Sequence, residues 1–135
     1  MTALLDEPAL RALGFEMGTG LGHGEVVWLE GDLGAGKTTF AQALVRGLGA
    51  AVRATSPTYA LVHHYEGAGG PVYHVDCFRL KQFDEARDLD WETLGQGAAL
   101  LIEWPERAGA WAPRASRRVT LSHTPDPEVR RVDIA

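Results

Sequence analysis

The chain has 135 residues, of which 45% are hydrophobic, and 13 basic against 18 acidic residues give a formal net charge of −5. This length suits one domain covering residues 1–135, and the acidic balance excludes a broad cationic surface for nucleic acid. No apolar run approaches the ~18 residues of a membrane span, the acidic N-terminal segment lacks the features of a secretory signal, and Cys77 is the single cysteine, so we expect a cytoplasmic protein with no membrane contact.

The first part of the sequence predicts a helix, a strand and a second helix. Asp6 is typical of a helix start, and apolar residues follow at helical spacing up to Gly18. The apolar run at residues 26–29 predicts a buried strand. After Lys37, apolar residues share one helical face as far as Gly49, which can end the helix. A glycine-rich loop therefore joins a strand to a helix.

The rest of the sequence predicts further strands and one more helix. Runs rich in β-branched and aromatic residues, separated by glycine and proline, are typical of antiparallel hairpins. The predicted elements are a hairpin from residues 59–65 and 72–75, a helix at 80–94, a buried strand at 98–102 and a closing hairpin from 119–121 and 129–134. The sequence thus predicts the α/β class, with a central mostly parallel sheet and antiparallel hairpin additions.

The glycine-rich loop has the sequence GDLGAGKT at residues 31–38 and matches the eight-position phosphate-loop pattern without deviation. Its glycines allow successive backbone N–H groups to point at phosphate oxygens, next to the positive end of the following helix. Lys37 can reach the β- and γ-phosphates, and the hydroxyl of Thr38 can ligate magnesium. Because the strand and helix supply the required context, a chance glycine-rich turn is the weaker interpretation.

Acidic and hydroxyl side chains follow at positions that can complete such a site. Asp76 and Glu103 each end an apolar strand, and the carboxyl ends of such strands form the ligand-binding edge of α/β sheets. Each acid alone can also be an ordinary solvated strand end. The hydroxyls at residues 55–58 can approach the metal or the γ-phosphate or can form a plain turn. Trp104 can stack on the base or fill a crevice.

Four ordered motifs together resemble the TsaE (YjeE) family of bacterial ATPases, which act in threonylcarbamoyladenosine modification of tRNA. They are the loop at residues 31–39 and the segments at 56–61, 74–80 and 103–105. The resemblance spans nearly the whole chain and implies a single P-loop NTPase-like domain with an antiparallel insertion. It also implies ATP and Mg²⁺ as cofactors, weak ATPase activity alone, and work in a complex with the transferase subunits TsaB and TsaD, through which tRNA is met only indirectly.

The resemblance also assigns roles by position. It implies that Lys37 and Thr38 hold phosphate and magnesium, that Glu103 is the second magnesium ligand, and that Asp76 acts near the attacking water. The implied catalytic residues are Lys37, Asp76 and Glu103, and the further nucleotide contacts are Asp32, Leu33, Gly34, Ala35, Gly36, Thr39 and Trp104, with Glu7 and Glu106 near the nucleotide. His74 belongs to the strand motif rather than to a metal site, because no second histidine or cysteine stands at ligand spacing.

Three features depart from the family pattern. Ala60 and Phe78 replace the usual threonine and tyrosine, so each position loses one hydroxyl, and the sequence ends early, at Ala135.

Other functions share the same loop. A small-molecule kinase is the first rival, with the basic cluster at Arg114, Arg117 and Arg118 either as a mobile lid or as a solvated surface. A GTPase is disfavoured because the sequence has no Asn-Lys-x-Asp string for reading guanine. A nucleotide-dependent interaction module differs from an ATPase mainly in its rate.

Overall fold

The computed structural model describes residues 1–50, 53–54, 62–80 and 83–135. The strands are β1 (Thr2–Leu5), β2 (Glu25–Gly31), β3 (Arg53–Ala54), β4 (Val62–Gly67), β5 (Gly70–Asp76), β6 (Ala99–Glu103), β7 (Arg117–His123) and β8 (Arg130–Ile134). The α-helices are α1 (Glu7–Gly20), α2 (Lys37–Gly47) and α3 (Trp91–Leu94), and 3-10 helices cover Cys77–Arg79, Phe83–Asp88 and Pro105–Trp111. Within this part of the chain, no helix has the length and apolar character needed to cross a bilayer.

The described strands form one sheet in the order β1-β8-β7-β2-β6-β5-β4-β3. The four central strands, β7, β2, β6 and β5, pair in parallel, whereas the outer pairs on both sides are antiparallel. All residues of β6 are buried, as expected for a parallel strand covered on both faces. The predicted α/β class, with a parallel centre and antiparallel additions, is therefore confirmed.

Helices α1 and α2 cover one face of the sheet. Asp6 caps α1 by accepting the N–H of Ala9 at 3.0 Å. The two helices meet at glycines: a Cβ on Gly18 would lie 2.2 Å from the carbonyl oxygen of Leu44, and one on Gly47 would lie 2.2 Å from that of Phe15. Glycine is therefore required for this close helix contact. Phe40 and Leu44 of α2 are fully buried against the sheet.

The opposite face of the sheet is covered by short helices. The prediction of a single helix at residues 80–94 is wrong. The structure has a 3-10 helix at Phe83–Asp88 and the separate helix α3. Asp90 accepts the N–H and hydroxyl of Thr93 at 3.1 and 2.8 Å, so it starts a new helix inside the predicted one. The cap at Asp90 therefore divides a segment whose apolar spacing is typical of one helix.

Both predicted hairpins are present, as β4–β5 and β7–β8. Residues 59–61 of the first predicted run lie outside the described residues. The last hairpin does more than close the chain, because β7 also pairs in parallel with β2. Strand β1 was not predicted; its four residues pair with β8 and have only half-buried and exposed positions. A strand with so little burial leaves a weak pattern in sequence.

Candidate functional site

The candidate site lies at the carboxyl ends of β2, β5 and β6. Strand β2 ends at Gly31, the glycine-rich loop (residues 31–38) follows, and α2 begins at Lys37. Gly31, Gly34 and Gly36 have φ values of 133°, 76° and 101°. A Cβ on Gly31 would lie 2.0 Å from the carbonyl oxygen of Leu121 on the neighbouring strand. The loop conformation therefore depends on glycine, both for its backbone angles and for its close packing on β7.

Lys37 is buried, with 5% of its surface exposed. Its Nζ donates hydrogen bonds to the carbonyls of Gly31 at 2.7 Å and Asp32 at 2.6 Å, and lies 4.5 Å from the ring centroid of Trp104. Burial lowers the pKa of Lys37, whereas the nearby carboxylates, led by that of Glu103, act in the opposite direction. The ammonium is thus held inside the loop rather than in solvent.

Glu103 is also buried, and each of its carboxylate oxygens has a different partner. Oε2 accepts a hydrogen bond from Nε2 of His74 at 2.6 Å, and Oε1 accepts one from the hydroxyl of Thr38 at 3.3 Å. Burial alone would raise the pKa of Glu103, but the hydrogen bond and charge of His74, the charge of Lys37 and the Thr38 hydroxyl together lower that pKa below its usual value. Glu103 therefore stays ionised next to the glycine-rich loop.

Asp76 lies directly beside Glu103, because the two residues are paired in the parallel register of β5 and β6. Its Oδ1 accepts the N–H of Phe78 at 3.0 Å and starts the 3-10 helix Cys77–Arg79. The side chains of Asp76 and Phe78 both line the cleft above the loop. The expectation that each acid ends a strand at the carboxyl edge of the sheet is confirmed, and the structure shows that the two strands are neighbours.

Trp104 follows β6 in the left-handed backbone region, at φ 56° and ψ 51°. It is the one non-glycine residue with positive φ in the described part of the chain. Such a conformation costs ~1–3 kcal/mol and is concentrated at functional sites. Its ring is 5.1 Å from that of Phe78, and the guanidinium of Arg107 lies 4.6 Å from the Phe78 ring. Trp104 and Phe78 therefore form one wall of the cleft, with Arg107 packed against Phe78 outside the cleft lining.

Two adjoining clefts surround the glycine-rich loop. The first, with a volume of about 270 Å³, is the phosphate-side cleft, lined by Leu33, Gly34, Gly36, Lys37, Thr38, Thr39, Asp76, Phe78, Glu103 and Trp104. The second, the α1-side cleft of about 510 Å³, is lined by Asp6, Glu7, Pro8, Leu10, Gly34, Gly36, Thr39, Pro127, Glu128 and Arg130. Because Gly34, Gly36 and Thr39 line both, the two clefts adjoin at the start of α2 and are together called the groove.

Most of the residues expected at the site line this groove. Of the others, Asp32 contributes its carbonyl to Lys37, and Ala35 is fully buried with its N–H bonded to the carbonyl of Asp32 at 3.1 Å. Glu7 lines the α1-side cleft, whereas Glu106 is exposed and lines neither cleft. Residues 55–58 and Ala60 lie outside the described residues.

The contact between His74 and Glu103 was not predicted from the sequence. Within the described residues, no group of three or more histidine, cysteine, aspartate or glutamate side chains is arranged to hold a metal ion. The partner of His74 is instead Glu103. The sequence shows that His74 and Asp76 stand two positions apart on one strand and so share a face. Their position beside Glu103 also requires the register of β5 and β6, which the sequence pattern does not give.

The oxygen donors at the phosphate-side cleft fit magnesium. Mg²⁺ prefers oxygen ligands and is usually held by one or two carboxylates together with substrate phosphates. The hydroxyl of Thr38 and Oε1 of Glu103 face each other, and Asp76 stands beside them. A site with so few protein ligands suits an ion that arrives with a phosphorylated ligand, rather than one held by the protein alone.

Two of the three arginines of the basic cluster contact the neighbouring strand rather than the groove. Arg117 and Arg118 begin β7 and contact carboxylates of the neighbouring strand β2: Arg117 binds Glu25 at 3.1 Å, and Arg118 binds both carboxylate oxygens of Glu30 at 2.8 and 3.0 Å. Their charges are therefore already paired within the sheet. This arrangement fits the solvated-surface interpretation and gives no support to a mobile basic lid.

A parallel sheet that ends in a glycine-rich loop, a buried lysine and two paired acids defines an α/β domain with a ligand cleft at its carboxyl edge. The model of the family described as "Threonylcarbamoyl adenosine biosynthesis protein TsaE" matches residues 4–132. The chain belongs to this family.

Individual relatives agree with the family assignment. The protein named tRNA threonylcarbamoyladenosine biosynthesis protein TsaE from Bacillus subtilis is 36% identical over 105 residues, covering 78% of this chain and 66% of the relative. Proteins of the same name from Nostoc and Streptomyces coelicolor are 39% and 41% identical, covering 77% and 72% of this chain and 67% and 68% of each relative. The chain thus spans about two thirds of the length of these relatives.

A solved structure supports the fold. The crystal structure of YdiB from Bacillus subtilis matches with a TM-score of 0.76 and 26% sequence identity, covering 100% of this chain and 84% of the other.

Proposed function

We propose that this chain binds ATP with Mg²⁺, hydrolyses it slowly, and supports threonylcarbamoyladenosine modification of tRNA in a complex with TsaB and TsaD. The observation that carries the proposal is the meeting of Lys37, Thr38 and Glu103 at one cleft beside the glycine-rich loop. A buried ammonium next to hydroxyl and carboxylate oxygens suits a polyphosphate that brings a divalent cation.

The phosphate-side cleft would take the phosphate chain of the nucleotide. Positive-φ glycines and the start of α2 surround it, and a helix N-terminus favours bound anions. The Nζ of Lys37 is bonded to two loop carbonyls, so its charge is already desolvated and aimed within the loop. These features support a role for Lys37 in binding the terminal phosphates.

The α1-side cleft would take the ribose and base. It adjoins the phosphate-side cleft at Gly34, Gly36 and Thr39, and it is larger and has the apolar wall of Leu10 and Pro127. This adjacency supports the expected position of Glu7 near the nucleotide. Trp104 lines the phosphate-side cleft next to Lys37, which favours a contact with the phosphate end over stacking on the base.

Hydrolysis would depend on Asp76 and Glu103 in different ways. Oε1 of Glu103 and the Thr38 hydroxyl would ligate Mg²⁺, which when bound neutralises phosphate charge and polarises the reacting phosphoryl group. Asp76, paired with Glu103 across the strands, would orient the attacking water. Among the described residues that line the phosphate-side cleft, Lys37 is the one cation. Fast phosphoryl transfer commonly uses an additional arginine, so slow turnover by the chain alone is expected.

The proposed partners and the proposed link to tRNA rest on the resemblance to the TsaE family. The relatives are named for tRNA threonylcarbamoyladenosine biosynthesis. The net charge of −5 disfavours direct binding to tRNA phosphates, so tRNA would be met through TsaB and TsaD in the cytoplasm. Nucleotide binding and partner binding would then be linked, each strengthening the other.

Calorimetric titration with ATP and ADP, in Mg²⁺ and in EDTA, tests the binding step. Hydrolysis and tRNA modification are then measured with and without TsaB and TsaD. We expect ATP binding that strengthens with Mg²⁺, slow hydrolysis alone, and faster hydrolysis with the partners. Absence of ATP binding in Mg²⁺ would overturn the nucleotide site, and full multiple-turnover modification without this chain would overturn the role in the complex.

A further inference from the structure

We infer that His74 is a positioning residue that fixes the carboxylate of Glu103 for a divalent cation at Thr38. The inference rests on the proposed nucleotide function, because the cation is expected to arrive with the phosphates. It extends that function by giving a role to a side chain that lines neither of the two clefts.

The strand register brings His74 and Glu103 together. His74 is paired with Leu101 across β5 and β6, and Asp76 is paired with Glu103. Side chains two residues apart on a strand share a face, so His74 lies diagonally across from Glu103 on the side that carries both acids. The resulting distance between Nε2 of His74 and Oε2 of Glu103 is 2.6 Å. This short contact follows directly from the parallel pairing.

The two carboxylate oxygens of Glu103 have different hydrogen-bond partners and so different roles in the inference. Because a carboxylate oxygen only accepts, Nε2 of His74 carries the hydrogen and donates a hydrogen bond to Oε2. The other oxygen, Oε1, is thereby directed at the hydroxyl of Thr38. His74 is 5% exposed and Glu103 is 4% exposed, so water competes little with this arrangement. One oxygen is committed to His74, and the oxygen that faces Thr38 keeps lone pairs for a cation.

An alternative role for the pair is structural only, since a buried carboxylate is costly unless it has a partner. The two roles differ in what they affect. A structural role predicts that loss of His74 lowers stability and weakens nucleotide binding equally with and without a divalent cation. A positioning role predicts that the loss concerns the cation, because partners that orient metal ligands typically contribute ~10–100-fold to metal affinity.

The experiment measures Mn²⁺ directly, by electron paramagnetic resonance, in the presence of saturating ADP. His74→Ala removes the imidazole, whereas His74→Gln keeps a side-chain N–H near the position of Nε2. His64→Ala is the matched control: it removes an imidazole from the same hairpin, one that stacks on Tyr73 at 5.0 Å. ADP affinity in EDTA is measured by calorimetry for each variant. If His74→Ala does not fold, His74→Asn carries the same test. Its amide keeps a polar group at this position but ends nearer the strand backbone, short of Oε2 of Glu103.

We expect His74→Ala to weaken Mn²⁺ binding by ~10–100-fold, with ADP affinity in EDTA within about twofold of the parent. His74→Gln recovers most of the Mn²⁺ affinity, and His64→Ala matches the parent. Equal Mn²⁺ affinity in His74→Ala and the parent overturns the inference. The inference is also overturned if His74→Ala loses ADP affinity equally with and without the cation and His74→Gln does not restore it. If the parent itself binds neither ADP nor Mn²⁺, the proposed function fails, and that result is distinguishable because it precedes any comparison of variants.

Discussion

Two sets of polar and charged side chains on the same sheet contrast in their surroundings. At the glycine-rich loop, Lys37, His74 and Glu103 are buried and contact one another or the backbone. On the start of β7, Arg117 pairs with Glu25 while 43% of the arginine side chain stays exposed. Burying ionised groups costs free energy, whereas exposed pairs contribute only ~0–1 kcal/mol. The buried groups at the loop are therefore stabilised by specific partners, whereas the exposed pair on β7 depends little on its partner.

The largest effect is expected for Lys37→Ala, because it removes the buried cation of the phosphate-side cleft. We expect MgATP affinity and turnover to fall by about 100-fold or more, the scale seen when one donor to developing charge is lost. Calorimetry and a phosphate-release assay measure the two quantities. Arg117→Ala, which removes an exposed cation, is the control and should bind ATP like the parent. Parental affinity and turnover in Lys37→Ala would contradict the binding site.

Next, Gly31→Ala tests whether the loop depends on backbone packing. The added Cβ would lie 2.0 Å from the carbonyl oxygen of Leu121, and φ is 133°. We expect the free energy of unfolding to fall by about 2–4 kcal/mol, measured by urea denaturation. Gly20→Ala is the matched control, because its added methyl group would meet nothing within 4 Å and its φ is not in the positive region. Similar stabilities for the two variants would show that the loop relaxes without cost.

Glu103→Gln and Asp76→Asn separate the two acids of the cleft. Both changes remove charge and keep an acceptor, so the N–H of Phe78 retains its cap in Asp76→Asn. We expect Glu103→Gln to weaken Mg²⁺-dependent ATP binding by ~10–100-fold, and Asp76→Asn to slow turnover by a similar factor with binding within about twofold. Separate titration and turnover measurements decide, and equal losses of both quantities in both variants would contradict the division of roles.

A smaller, pH-dependent effect is expected from Glu103. Its pKa in the folded state is lowered, so its ionised form stabilises the fold above the unfolded value of about 4.3, and this contribution is lost as pH falls through the lower folded pKa. Urea midpoints of the parent and Glu103→Gln should therefore differ most near neutral pH and converge in acid. A difference that stays constant down to strongly acidic pH would contradict the assignment.

The smallest effect is expected for Arg117→Ala. Its exposed pair with Glu25 should contribute ~0.2–1 kcal/mol to the free energy of unfolding, and the difference from the parent should shrink in high salt. Urea denaturation at low and high ionic strength measures both. A loss as large as that of Gly31→Ala would remove the contrast between the two sets of charges.

Sequence was most informative where one local pattern decides the structure. The loop at residues 31–38 and the acids at Asp76 and Glu103 were predictable because glycine spacing and strand ends are local features. The contact between His74 and Glu103 depends on the register of β5 and β6, which no short segment specifies. The break at Asp90 was missed because a single local cap outweighed the helical spacing across residues 80–94.

The glycine contact between α1 and α2 has a consequence for the two clefts that these helices line. The start of α1 carries Asp6 and Leu10 of one cleft, and the start of α2 carries Lys37 of the other. At Gly18 and Gly47 the helix backbones touch, with no side chain between them that could rearrange. This contact therefore leaves the two helices little freedom to shift against each other at that point. Under the proposed function, a ligand entering the two clefts would meet helices whose mutual packing has no side chain to rearrange at this contact.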